Sequence, residues 1–449
     1  MAKNKWFGTD GVRGVANVFP MTAEFALKLG MAAAELVCTK HHKAVIAKDT
    51  RVSCDMLEAA LTAGLTAKGV DVELWGVLPT PAVTTFVGQS GADMAFMITA
   101  SHNPYQDNGI KLIAADGDKF SDEVTAQLEA LIEQNHFECD KDKLGVVGRN
   151  LSVEAQYKAR AAQISVDLSG KKIVADCANG CFSEILPDVL RRHGAEVVSL
   201  GTAPNGRNIN EGCGSQHPEQ MCETVKKIGA DLGIAVDGDG DRIKICDNTG
   251  RLVKSEQVMA FLVENMQQTG ENKNRPFAST KLSNTALERY ITQKLGLKYL
   301  STGVGERAVI KALKENGGVI GGEESGHIVL LDYSKSGDAM MVSLAVLRAL
   351  AADGRKAAEI FPLFADDALY FENFKAQSTT QVKKIAAHPE LQALVDEMSR
   401  KIGAAGRVVI HPSGTEPKIR IWVCGKDERL VKEIGQTLWA KIESLAKCA

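Results

Sequence analysis

The 449-residue sequence predicts an α/β protein with three related mixed α/β domains around a central cleft, followed by a smaller carboxyl-terminal α+β domain. Three observations predict it. A strand–helix–strand unit recurs three times along the chain. Each copy leads into a short polar cluster, in the first two through a further apolar strand. From about residue 367 the order of elements changes. The chain is also too long for one ordinary core. Expected domains are 1–155, 156–255, 256–366 and 367–449, with glycines and polar residues at 144–150 and 248–255 marking the first two boundaries.

The first unit pairs an apolar strand at 44–49 with a helix at 56–68 and a strand at 70–74. The second runs 172–176, 185–193 and 196–200. The third, a looser match, runs 276–280, 285–295 and 297–300. Gly91-Ala92-Asp93 then opens a strand at 94–98 that ends before Ser101, and Gly229-Ala230-Asp231 opens one at 232–236 that ends at Asp237. The third copy ends at Gly322-Glu323-Glu324-Ser325-Gly326-His327. Ligands bind at the carboxyl ends of strands in such sheets, so the three clusters are expected to face one cleft. The last domain reads as a strand at 368–374, a long helix at 381–402, strands around Val408 and Ile419, and a closing helix.

Composition narrows the function. Hydrophobic residues make up 45% and charged residues 24%, as in soluble globular proteins, and no apolar run approaches the ~20 residues of a membrane span. The start, MAKNKWFGTD, lacks a signal-peptide core, so a cytoplasmic location is expected. Ten cysteines occur without a Cys-x-x-Cys pair, which favours buried free thiols over zinc or disulfides. The formal net charge is −3, and the basic residues are dispersed without interleaved aromatics, which argues against a nucleic-acid partner. Arg13, Lys111, Arg242 and Arg420 instead lie beside glycine- or hydroxyl-rich turns. That placement suits a small anion such as phosphate.

Four clusters carry the chemistry. Ser101, in Thr99-Ala100-Ser101-His102-Asn103-Pro104, is expected on an exposed loop after a buried strand; an ordinary turn serine would look the same in isolation. Asp237, Asp239 and Asp241 alternate with Gly238 and Gly240 at a strand end. Three carboxylates held that close require a cation, and oxygen-only ligands favour Mg²⁺, Mn²⁺ or Ca²⁺. An EF-hand is excluded, because its sixth and twelfth positions would be Arg242 and Asn248. Arg242 beside a divalent ion makes sense if a polyanion lies between them. Near the carboxyl end, His411-Pro412-Ser413-Gly414-Thr415-Glu416-Pro417-Lys418-Ile419-Arg420 offers hydroxyls, backbone N–H groups and a guanidinium to an anion. Glu323 and Ser325 suit sugar hydroxyls, and His327 reads more readily as a packed or capping side chain. No Walker A or complete Gly-x-Gly-x-x-Gly is present.

With these four sites in order, the sequence resembles the α-D-phosphohexomutase family along essentially its whole length. TASHNP matches the phosphoserine loop, DGDGDR the metal loop, GEESGH the sugar-binding loop and PSGTEPKIR the phosphate-binding loop. The resemblance implies that Ser101 carries a phosphoryl group. It further implies one Mg²⁺ per site, held by an oxygen at Ser101 and by Asp237, Asp239 and Asp241. Arg13, Lys111 and Arg242 match the basic groups around the reacting phosphoryl, with Lys111 favoured for proton transfer. Glu323 and Ser325 match sugar ligands, and Ser413, Gly414, Thr415 and Arg420 match the distal phosphate clamp.

Within the family, FGTDGVRG, PNGRNIN (204–210), GVGER (303–307) and the chain length resemble the branch acting on a hexosamine phosphate. Implied is an isomerase interconverting glucosamine 6-phosphate and glucosamine 1-phosphate through a sugar 1,6-bisphosphate that is also an activator. It would feed UDP-N-acetylglucosamine and cell-wall precursor synthesis, and a homodimer is compatible with it. The alternatives are a mutase for glucose or mannose phosphates and, further off, a noncatalytic sugar-phosphate sensor. One departure is His411, where the family commonly has arginine; Lys418, also unusual, is placed to compensate.

Overall fold

Met94–Ile98 shows how sequence sets position: all five residues are buried, and alternate side chains serve different cores. Met94, Phe96 and Ile98 face the first domain's own core, among Leu29, Leu57 and Ile46. Ala95 and Met97 face a larger core that also contains Phe182, Val236, Phe261 and Met340. That core runs without a break through the first three domains, so their loops are fixed relative to one another. The computed structural model describes residues 5–8, 10–412 and 417–448.

The three repeats share one topology. In the first sheet, Lys43–Lys48 lies parallel to Asp71–Val77 on one side and to Met94–Ile98 on the other, and Asp107–Ala114 returns antiparallel to Met94–Ile98. The second sheet repeats this with Lys172–Asp176, Glu196–Leu200, Leu232–Val236 and Ile243–Asp247. In the third, the corresponding strands are Phe277–Thr280, Tyr299–Thr302, Ile320–Gly322 and Ile328–Leu330. Each polar cluster occupies the return between the last two strands, at 99–106, 237–242 and 323–327. The first sheet adds Phe7–Gly8 and Gly11–Val15 at one edge and Val147–Arg149 at the other, and the second adds Leu252–Val253. Three sheets with the same strand order, each with its cluster in the same return, are a repeat in structure and not only in pattern.

The fourth domain is an antiparallel sheet of Ala368–Lys375, Lys418–Gly425 and Gly406–Pro412. Its core is separate, built from Val382, Leu391, Ile421 and Leu438 among others. It docks on the third domain where Arg289 donates to both oxygens of Asp367 at 2.5 Å and where Val409 and Trp422 pack with Leu282.

Two expected helices differ. The expected helix at 381–402 is two, Thr379–Ala386 and Pro389–Ile402. Pro389 has no N–H to continue a helix and forces His388 out of helical geometry. His388 caps the second helix instead, its Nδ1 accepting from Glu390 N at 3.3 Å. The expected helix at 285–295 begins as Thr285–Arg289 and widens into a π-helical turn, Tyr290–Lys294. The nine cysteines whose side chains are described are unpaired, seven of them buried. Among the described residues, no helix is long and apolar enough to cross a membrane.

Candidate functional site

Ser101 is 1% exposed, which corrects the expectation of an exposed loop. The second domain covers it. Its Oγ donates to Asp237 Oδ2 at 2.7 Å, and its carbonyl accepts from Asn210 Nδ2 at 2.9 Å. Gly238 lies so close that a Cβ there would meet the Ser101 carbonyl oxygen at 2.8 Å. Glycine at 238 is therefore required by the approach of the two loops, whereas Gly240 takes a left-handed conformation, φ +74°.

Alternation at the strand end brings the three carboxylates together as the sequence predicts. Oxygens of Asp237, Asp239 and Asp241 all lie within 4.8 Å of one another, and all three side chains are buried. Burial, and then the Asp241 and Asp239 carboxylates, push Asp237 well above the usual carboxylate range. Asp239 Oδ1 is buried with no hydrogen-bond partner among the described residues. A buried carboxylate oxygen without a donor, within a cluster of three carboxylates, fits a hard divalent cation.

Cations surround this cluster. Lys111 Nζ lies 2.7 Å from Asp239 Oδ2, 2.9 Å from Asp241 Oδ2 and 3.3 Å from Asp10 Oδ2. Burial alone would lower its pKa, but the carboxylates of Asp10, Asp239 and Asp241 hold it well above the usual range. Held by these carboxylates, Lys111 stands as a cationic donor beside the cluster. Arg13 pairs with Asp10 at 2.7 Å while its Nε is buried and has no partner among the described residues. The Arg242 backbone N–H donates to Asp237 Oδ1 at 3.0 Å, and its Nε lies 3.2 Å from His327.

His327, expected to be structural, joins two clusters. Its Nε2 is 3.0 Å from Asp241 and its Nδ1 is 3.0 Å from Glu323. Burial opposes the charge, but Asp241 and Glu323 outweigh it and raise the imidazole to about 10. Glu323 also accepts from Gly305 N at 2.8 Å, and Ser325 Oγ lies 3.5 Å from His327 Nδ1. Arg420 sits opposite His411 on the fourth domain's ladder. With Glu324, Lys244 and Trp422 it lines a groove of 440 Å³ between domains. Ser413, Gly414 and Thr415 lie outside the described residues.

Sequence reasoning missed the residues that hold this cluster from behind. Arg51, with no exposed side-chain surface, donates to the carbonyls of Ser101 at 3.1 Å and Asn103 at 2.8 Å. Thr80 donates to Asp239 Oδ2 at 2.6 Å. Asp10 and Asn210 stand inside FGTDGVRG and PNGRNIN, so the signal was present but carried no assigned role.

Comparison with known proteins bears on this arrangement. Four profiles of the phosphoglucomutase/phosphomannomutase family match the chain: alpha/beta/alpha domain I over residues 4–138, domain II over 153–250, domain III over 254–366 and the C-terminal domain over 375–439. The phosphoglucosamine mutase of Phenylobacterium zucineum is 41% identical over 99% of this chain and 100% of its own length. That of Paramagnetospirillum magneticum is 43% identical over 95% and 96%. Among solved structures, a phosphoglucomutase/phosphomannomutase family protein from Burkholderia thailandensis aligns with a TM-score of 0.81 at 24% identity, covering 99% of this chain and 98% of that one. Aspergillus fumigatus N-acetylphosphoglucosamine mutase, in complex with GlcNAc-6P and magnesium, aligns at 0.66 with 16% identity over 99% and 96%.

Proposed function

Because the chain belongs to the phosphoglucomutase/phosphomannomutase family, we propose that it is an isomerase interconverting glucosamine 6-phosphate and glucosamine 1-phosphate, the activity named for the relatives it matches from end to end. Ser101 is the phosphoryl carrier. The observation that carries this reading is its hydroxyl, 2.7 Å from Asp237 Oδ2, among three buried carboxylates and the cations Arg13, Lys111 and Arg242.

Asp237, Asp239 and Asp241, with an oxygen on Ser101, would hold one Mg²⁺, the ion present with the Aspergillus enzyme. When bound, it supplies positive charge to the phosphoryl oxygens. Ser101, once phosphorylated, gives its phosphoryl group to the free 1- or 6-hydroxyl of the bound sugar phosphate: the P–Oγ bond breaks, a P–O bond to the sugar forms, and the proton of the sugar hydroxyl passes, in the net balance, to Ser101 Oγ. The resulting 1,6-bisphosphate reverses in the cleft and returns its other phosphoryl group to Ser101. Arg13, Lys111 and Arg242 supply fixed charge to the transferring group, which is the main form of catalysis available to phosphoryl transfer. Glu323 and Ser325 face the sugar, and Ser413, Gly414, Thr415 and Arg420 grip the distal phosphate. The same clamp and the same carrier then serve both orientations of the bisphosphate.

Ser101→Ala is expected to lower kcat by about 10³-fold or more with an unchanged circular dichroism spectrum; near-parent turnover contradicts the carrier role. In the parent enzyme, primed with bisphosphate, kcat/KM is expected to be highest for glucosamine 6-phosphate. A preference for glucose or mannose 6-phosphate moves the chain to another branch of the family.

A further inference from the structure

The segment 204–210, PNGRNIN, has no chemistry of its own, yet it ends at the phosphoryl carrier. Ser101 has φ +55° and Asn210 φ +59°. A left-handed conformation is unfavourable for a non-glycine residue and persists only where its surroundings impose it. At Ser101 the N–H donates to Thr99 Oγ1 at 2.9 Å, and the carbonyl accepts from Arg51 Nη2 at 3.1 Å and from Asn210 Nδ2 at 2.9 Å. Asn210 Nδ2 also donates to the Asn103 carbonyl at 3.0 Å.

The two side chains do different work. Arg51 belongs to the same domain as Ser101, is fixed by Asp49 at 2.9 Å, and shapes the loop. Asn210 belongs to the second domain, which also supplies Asp237, Asp239 and Asp241. Its own N–H donates to the Ala178 carbonyl at 2.8 Å, and in the same segment Gly206 O accepts from Val52 N of the first domain at 2.9 Å. The segment therefore spans the boundary that the Ser101–Asp237 contact must cross.

We infer that Asn210 is a positioning residue for the phosphoryl carrier: its amide ties the Ser101 carbonyl to the domain that holds the metal carboxylates, and so fixes the seryl oxygen against them. This rests on the carrier role of Ser101. An aspartate at 210 tolerates the left-handed backbone but turns a carboxylate oxygen toward two carbonyls, and a glycine keeps the backbone while deleting the amide.

The test uses full-length Asn210→Asp, Asn210→Gly and Ser101→Ala enzymes. Both Asn210 variants are expected to lose about 10- to 100-fold in kcat, with KM for glucosamine 6-phosphate within about threefold of the parent and with unchanged folded fraction. The phosphorus NMR resonance of their phosphoserine is expected to shift to a position distinct from that of the urea-unfolded enzyme, and a larger share of phosphoryl groups to pass to water, a pair of changes that a general loss of folding does not produce. Asn210 variants within about twofold of parent kcat, beside an inactive Ser101→Ala, overturn the inference alone. A change confined to KM, or a loss of kcat that tracks unfolding, also overturns it. An active Ser101→Ala enzyme overturns it together with the function it rests on.

Discussion

His411 is a single side chain whose charge state bears on the proposed clamp. It faces Arg420 across the ladder of the fourth domain, and burial first, then Arg420 and Lys281, lower its pKa below the usual 6.5. It is therefore neutral at neutral pH and gains charge only as the pH falls. His411→Arg, which is charged throughout, should bind the sugar phosphate about threefold more tightly at pH near 7.5. The ratio of parent to variant KM should shrink as the pH falls below 6.5 and the histidine protonates. Parallel KM profiles contradict a role for His411 in the clamp. At this scale Ser101 and the three aspartates were legible, because strand-end alternation and residue type together announce them. Arg51, Asn210 and Asp10 were not. They act by touching backbone or other charges across long stretches of sequence, and nothing in their local pattern encodes the partner. His327 is packed, as read, but its two partners were hidden for the same reason: the carboxylates come from different domains.

Elements were legible where period and punctuation agreed, as at Met94–Ile98 and Leu232–Val236. They were lost at 381–402, where the helical period continues through Pro389 and hides the break. Another element carries a titratable cap. Asp338 begins the helix Ala339–Asp353, its Oδ1 accepting from Met341 N at 3.1 Å and from the second domain's Tyr157 hydroxyl at 2.7 Å. Burial raises its carboxyl to about 6, against the pull of those hydrogen bonds. The folded pKa thus lies above the unfolded value of about 3.9, so the folded state holds the proton more tightly. The stability linked to it is fully present below about pH 4 and is lost as the pH rises through about 6. Asp338→Asn keeps the capping oxygen and carries no charge. Its thermal midpoint, relative to the parent, should rise by about 2–4 °C between about pH 4.5 and pH 8, as read by calorimetry. A difference that stays constant with pH contradicts the raised carboxyl.

The whole molecule follows from repetition. Three sheets of one topology place three strand returns together because a shared core binds them, while the fourth domain keeps its own core and docks through Asp367 and Arg289. The repeat was legible even in its loosest copy, since order of elements survives where residue matches fade. That Ser101 meets the Asp237 cluster was implied by the family resemblance, whereas the burial of their direct contact was not legible, because it depends on how two domains pack. That contact is the centre of the account, and one measurement reaches it directly. Enzyme bearing a radiolabelled phosphoryl group on Ser101 is mixed with glucosamine 6-phosphate and Mg²⁺ in a single turnover. The label should leave the protein and appear in the sugar bisphosphate and then in the sugar monophosphates. Label that stays on the protein, or that is released only as inorganic phosphate, would contradict the claim that Ser101 carries the transferred group.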